Sequence, residues 1–334
     1  MDRFHLVVFN CERISLFLDN FYKIRNFDPE QDKIYILDCS SNHKKEQKKV
    51  ANFLKEKGWE FNKQVHYIVR RNWGVDQGAR IDYFSLFTKN YCDSLPQYIW
   101  QFQEHYFDLT SPASRYPVEF PKIGGQIKAD VSPDNLIVDL DECEKIYEQD
   151  PAVAMLYAAR LKMILFSHTD GREWFYANGG NYCIRTSYAL EVYDKKLLDS
   201  YKMIYVGGKP NWAMFVEIDQ GYRLTRKGVK WYDLVSGYSF DLPETLRNLE
   251  TANNISLQQD KENNHEDYYS PLYDQYQQRC LKALNTHPSL REFLIVKAFL
   301  VDSIKSILRK IKHSLFPKKL KEITVLQNGK ITKL

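Results

Sequence analysis

Gln103, Glu104 and His105 stand together just beyond the aromatic and aliphatic run Tyr98 to Phe102. Such a run reads as a buried strand, and polar groups released at the end of a strand in an α/β sheet reach the crevice where these folds bind ligands. A glutamate beside an imidazole can ligate Mn2+, and it makes a weaker Mg2+ site than two carboxylates would. The same pair can also be read as a solvated strand exit. A second segment, Arg70 to Arg80, has Gly74 and Gly78 for tight backbone geometry, with Arg71, Asn72, Asp76, Gln77 and Arg80 to meet a phosphate, a base or sugar hydroxyls. Its spacing fits neither a dinucleotide fingerprint nor a Walker P-loop. Asp139-Leu-Asp141 runs on into Glu142, Glu144 and Glu148, and that charge pattern reads as a solvated helical face ahead of a metal site. Glu217 and Asp219 follow Pro210 in what reads as a short helix, where they lie about 200° apart and cannot both face one pocket.

Four short apolar runs must position these groups. They are Phe4 to Phe9, Lys33 to Asp38, Val65 to Val69 and the run before Gln103. Between them, Ile14 to Phe21 and His43 to Lys57 carry helical apolar faces, and this alternation is βαβ grammar. The polar loop from Arg70 ends where Ile81 to Phe87 resumes a helical pattern, which puts a helix start at Gly78 to Arg80. Pro151 suits the first turn of a helix over the apolar-rich stretch from Ala152 to Phe166. Asn178-Gly-Gly-Asn181 is a tight-turn signal before a strand-like stretch. Trp212 and Phe215 serve either the core or an apolar platform beneath a ring. The regions are expected at 1–240 for a main α/β domain, 241–288 for a polar connector and helix, and 289–334 for a basic amphipathic helix and tail.

The 334 residues, 44% hydrophobic and 27% charged, can bury a full core. Six cysteines stand far apart without a CxxC pair, so the composition points to a reducing, cytoplasmic compartment. The opening Met1 to Asn10 has too short an apolar run for a signal peptide, and no stretch has transmembrane length. The net charge of +4 is uneven, because eleven Lys or Arg against three acidic residues lie between Arg291 and Leu334. The rest of the chain is therefore mildly acidic, which argues against a nucleic-acid partner.

Taken together, the strand ends at Asn10 and Asp38, the segment Asn72 to Arg80, the strand exit at Gln103 and Gly179-Gly-Asn181 resemble glycosyltransferases of the GT-A fold, especially bacterial family 2-like enzymes that build surface polysaccharides. The resemblance covers roughly residues 4 to 230 and is one of arrangement. It implies an α/β, mostly parallel or mixed central sheet flanked by helices, with a helical C-terminal extension. It further implies a nucleoside diphosphate sugar donor, UDP-linked by preference, and a hydroxyl of a growing polysaccharide or lipid-linked glycan as acceptor. Asn10, Asp38, Arg71, Asn72, Asp76, Gln77 and Arg80 would hold the nucleotide, with Gln103 near the diphosphate and Asn181 near the sugar. Glu217, or failing that Asp219, would be the base of an inverting transfer. The family's paired aspartates are replaced by Gln103, Glu104 and His105, so Mn2+ or Mg2+ would rest on Glu104 and His105. A nucleotidyltransferase and a non-catalytic glycan-binding or assembly protein are the rival readings.

From Ser289 a capping box with Glu292 opens a helix, and Phe293, Val296, Leu300, Ile304, Ile307, Ile311 and Leu315 recur along it until Pro317. Its basic face suits the cytoplasmic side of an inner membrane. Packing on the catalytic domain or on a second copy would use the same apolar stripe.

Overall fold

The computed structural model describes residues 1–71, 75–87, 95–103, 118–119, 128–129, 137–159, 163–168, 170–177, 181–194, 197–202, 214–234, 237–241, 266–315, 324–327 and 330–333. The chain divides into two compact units, Met1–Asn285 and Thr286–Leu334.

Strands and helices alternate through the described residues of the first unit. Strand β1 (Phe4–Asn10) is buried at every position, as an apolar run does when helices cover both faces of a parallel sheet. It is followed by helix α1 (Ile14–Asp19), β2 (Lys33–Asp38), α2 (His43–Lys57), β3 (Val65–Val69), α3 (Val75–Ser85) and β4 (Tyr98–Gln103). Helix α2 has local signals at both ends. The Asn42 side chain accepts a hydrogen bond from the Lys45 N–H at 3.2 Å, and Gly58 adopts the left-handed conformation (φ 68°) that closes the last turn.

The chain continues through α4 (Leu140–Gln149), β5 (Val153–Ala159), β6 (Met163–Ser167), β7 (Glu173–Ala177), β8 (Asn181–Arg185), α5 (Thr186–Val192), α6 (Met214–Thr225), β9 (Lys230–Asp233), β10 (Tyr238–Asp241) and α7 (Glu266–Leu284). Among the described residues the main sheet runs β10-β9-β5-β8-β4-β1-β2-β3. Strands β4, β1, β2 and β3 are mutually parallel, β8 is antiparallel to both neighbours, and β6 pairs with β7 in a separate hairpin.

The sheet separates two cores, as the two-residue alternation of a strand requires. Val7, Phe9, Ile99 and Tyr182 face α3, α5, α6 and α7. Leu6, Val8, Trp100 and Cys183 face α1, α2 and α4. This is the GT-A-like architecture expected from the sequence, a mixed central sheet covered by helices on both faces.

Two expectations are corrected. Where a helix is expected from Ala152 to Phe166, the described residues of that stretch form β5 and most of β6. Strand β5 lies inside the sheet with Met155 and Tyr157 in one core and Val153 and Leu156 in the other, so it lacks the alternation that marks a half-buried strand. Helix α3 starts at Val75, so Gly78 to Arg80 lie inside it and offer no free helix start.

The second unit holds helix α8 (Pro288–Leu315) and a hairpin of Thr324–Gln327 with Lys330–Lys333. The helix begins with the proline at a position where the missing N–H costs nothing.

The chain leaves β1 towards β2 and β3 and returns to the other side of β1 to form β4. Connections thus diverge between β1 and β4, and the crevice beyond their C-terminal ends is where open α/β sheets bind ligands.

Candidate active site

At that edge, the last residues of β1 and β2 stand side by side, with Asn10 in register with Asp38. Both are buried, and Asp38 is entirely so. The Asp38 carboxylate accepts from Asn10 Nδ2 at 2.7 Å, Ser40 N at 3.0 Å, Ser40 Oγ at 2.5 Å and Tyr67 Oη at 2.5 Å. Burial, followed by the Asp38 carboxylate, pushes the Tyr67 phenol up, so it remains a donor. Asn10 Oδ1 accepts the Arg13 N–H at 3.1 Å, which ties the turn into α1 to the strand end. Beside it the half-buried Cys39 thiol, pushed up to about 12 chiefly by burial, donates to the Asn10 carbonyl at 3.3 Å.

A second polar group lies on the other face of the sheet. Gln77, fully buried on α3, donates through Nε2 to Glu217 Oε1 on α6 at 2.9 Å. Arg80 is 1% exposed, one helical turn further on, and its Nη1 lies 3.8 Å from the same Glu217 oxygen. Its guanidinium stacks 5.6 Å from the Phe9 ring centre and 5.0 Å from that of Tyr182. Phe9 and Tyr182 sit near the ends of β1 and β8 that frame the crevice. The amide oxygens of Gln77 and Gln101 are buried here with no hydrogen-bond partner among the described residues, and such groups are usually met by water or a ligand.

Asp219 has a different fate. Only two residues beyond Glu217, it accepts from Tyr201 Oη at 2.6 Å and Arg223 Nε at 2.7 Å, with Tyr273 Oη at 3.4 Å. It thereby joins α6 to the helical segment 197–202 and to α7. The divergence follows from the turn of the helix, which carries the two carboxylates to different faces. Phe215 packs against Tyr201, Tyr273 and Tyr276, so it belongs to the core.

The literal Asp-Leu-Asp is structural. Asp139 caps α4, accepting from Asp141 N at 3.1 Å and Glu142 N at 3.2 Å, and Asp141 pairs with Arg3 at 2.6 Å. Its carboxylates therefore serve a helix end and an ion pair.

Arg71 is exposed just after β3. Asn72, Glu104 and His105 lie outside the described residues, as do the side chains of Asp76, Gln103 and Asn181. Among the described residues no group of three or more His, Cys, Asp or Glu could hold a metal ion.

The structure thus brings Asn10 together with Asp38, and Gln77 and Arg80 together with Glu217, while Asp219 stands apart. Ser40, Tyr67 and Tyr182 were not singled out from the sequence. Ser40 follows Asp38 by two residues, the spacing at which a carboxylate commonly accepts its own turn's N–H, so a local signal for it existed. Tyr67 and Tyr182 had none, because a tyrosine in a strand usually signals packing.

No family model matches this chain, and no curated protein matches it. Among solved structures it is similar to S. aureus TarS 1-349, with a TM-score of 0.37 and 10% identity over 99% of this chain and 96% of that one. The mannosyltransferase PcManGT from Pyrobaculum calidifontis, in complex with GDP-Man and Mn2+, gives a TM-score of 0.34 and 10% identity over 95% of this chain and 88% of that one. A longer S. aureus TarS chain gives 0.28 and 12% identity over 51% of this chain, which spans 22% of its length. Likenesses at these scores carry neither fold nor chemistry to this chain.

Proposed function

We propose that this chain is a nucleotide-sugar-dependent glycosyltransferase, moving a sugar from a nucleoside diphosphate, UDP by preference, to a hydroxyl of a growing polysaccharide or lipid-linked glycan. The observation that carries the reading is the buried contact of Gln77 and Arg80 with Glu217 beside the crevice between β1 and β4. It joins the segment after β3, rich in groups for a nucleotide, to a carboxylate 140 residues away.

In this reading the nucleotide lies along the ends of β1 and β2, where the Asn10 and Asp38 cluster shapes the edge. The acceptor hydroxyl oxygen bonds to the anomeric carbon as the bond from that carbon to the diphosphate breaks. Glu217 takes the hydroxyl proton, and the configuration inverts in a single displacement. Gln77 and Arg80 orient the carboxylate towards the acceptor. Arg71 contributes positive charge towards the diphosphate as it leaves. Asp219 is left out of the chemistry, since its carboxylate is engaged by Tyr201 and Arg223.

The test is a screen of purified protein against UDP-, GDP-, dTDP- and CMP-sugars with Mn2+, with Mg2+ and with EDTA, beside a Glu217→Gln variant. Release of nucleoside diphosphate from one donor, lowered on the order of 100-fold or more by the variant, is the expected result. A folded protein that neither binds nor turns over any of these donors would refute the assignment. The EDTA arm decides whether a divalent ion takes part.

A further inference from the structure

Helix α8 presents apolar side chains to the outside along most of its length. Phe293, Val296, Leu300, Ile304, Ile307 and Leu308 are each more than half exposed, and Val301 is 40% exposed. At 100° per residue these positions cover an arc of about 140°, wider than the narrow seam of a coiled coil. Exposed patches of this kind mark interaction sites.

The charges identify what covers the ridge. Lys297 is exposed within the arc and Lys305 beside it, and the stretch from Arg291 to Leu334 carries eleven Lys or Arg against three acidic residues. Face-to-face pairing of two copies would bury Lys297 in an apolar seam and bring two strongly cationic segments together. An anionic surface would be attracted by the same cations. In a lipid interface, moreover, a lysine within the arc extends its ammonium to the headgroups while its stem stays among apolar atoms. No helix among the described residues is long and apolar enough to cross a membrane, so the fitting geometry is a helix lying in the plane of the surface.

We infer that α8 docks on a phospholipid bilayer bearing anionic headgroups, with the ridge from Phe293 to Leu308 in the acyl boundary and the lysines at the headgroups. This binding is independent of the transfer reaction and would stand if that assignment failed.

The experiment is co-sedimentation of the full-length protein with vesicles of phosphatidylcholine alone and of phosphatidylcholine and phosphatidylglycerol in equal parts, at low and high salt. Sedimentation with the anionic vesicles, weakened by salt, is expected. Ile304→Glu should remove it, and Lys297→Gln and Lys305→Gln, which leave the apolar ridge intact, should each weaken it about fivefold. The inference is overturned if the wild-type protein stays in the supernatant with anionic vesicles, or if Ile304→Glu sediments as the wild type does. A vesicle-free dimer in sedimentation velocity that Ile304→Glu dissociates would also overturn it, assigning the ridge to a second copy.

Discussion

At the start of β1, Arg3 reaches Asp32 at 2.8 Å, Asp141 at 2.6 Å and Glu144 at 3.5 Å, whereas at its other end Asp38 is held by an amide and three other uncharged donors. Glu217, on the same C-terminal side of the sheet, is held by the Gln77 amide at 2.9 Å with Arg80 further off at 3.8 Å. The N-terminal end gathers three carboxylates around one guanidinium, with Asp32 fully buried and Arg3 raised by its bond to that carboxylate. Such an arrangement is closed and braces the fold. At the C-terminal end, amides and hydroxyls hold Asp38, and the Gln77 amide reaches Glu217, so the carboxylates beside the crevice are placed by oriented dipoles. Parallel strands make this division natural, because all their exits, and the helices that follow, gather at one edge.

The largest effect should come from breaking the braced end. Asp32→Ala removes the buried acceptor shared by Arg3 and by the Phe4 and Asp28 N–H groups and should cost about 3–5 kcal/mol, measured by denaturant unfolding, while turnover per folded molecule stays unchanged. A loss of turnover without a loss of stability would erase the distinction between the two ends.

Glu217→Gln should act chiefly on the reaction. Turnover per folded molecule of the donor found in the screen should fall on the order of 100-fold, equivalent to about 2.7 kcal/mol of barrier, while removing the charge 3.8 Å from the buried Arg80 should also cost about 1–3 kcal/mol of stability. Equal turnover in the variant would remove Glu217 from the reaction.

Asp219→Asn sharpens the contrast within α6. Weakening its charge-assisted bonds with Tyr201 and Arg223 should cost about 1–3 kcal/mol of stability, and turnover per folded molecule should hold. A drop as deep as that of Glu217→Gln would make Asp219 the base instead.

The smallest effect concerns pH and the braced end. His5 on β1 is buried between Tyr83 Oη at 2.7 Å and Asp2 at 2.8 Å, and burial holds its imidazole below the ordinary value despite Asp2. The unfolded chain binds this proton near pH 6.5 and the folded chain does not. Stability is therefore fully present above about 6.5 and falls as pH drops towards the folded value, by at most about 1.4 kcal/mol per pH unit. His5→Gln should flatten that slope between pH 7 and 5. An unchanged slope would assign the dependence to other groups.

Local pattern made much of the scaffold legible. The apolar runs at Phe4, Lys33, Val65 and Tyr98 are the four parallel strands, the one-sided pattern from His43 to Lys57 is α2, and the stripe from Phe293 is α8. The run from Ala152 to Phe166 misled for a physical reason. A strand buried on both faces has no polar side to announce its period, and here it read as helix. Asp139-Leu-Asp141 shows the converse, since a motif with metal-ligand spacing is used to cap a helix and pair with Arg3.

By itself, then, the sequence determined that short apolar runs bounded by polar turns become strands and that one-sided periodic stretches become helices, along with the uneven charge that sets the last helix apart. Only the tertiary structure decided that Gln77 and Arg80 meet Glu217 while Asp219 turns to Tyr201 and Arg223. Periodicity acts through neighbours a few residues apart. The partner of a buried carboxylate, by contrast, depends on which helices the sheet presses together across 140 residues of chain.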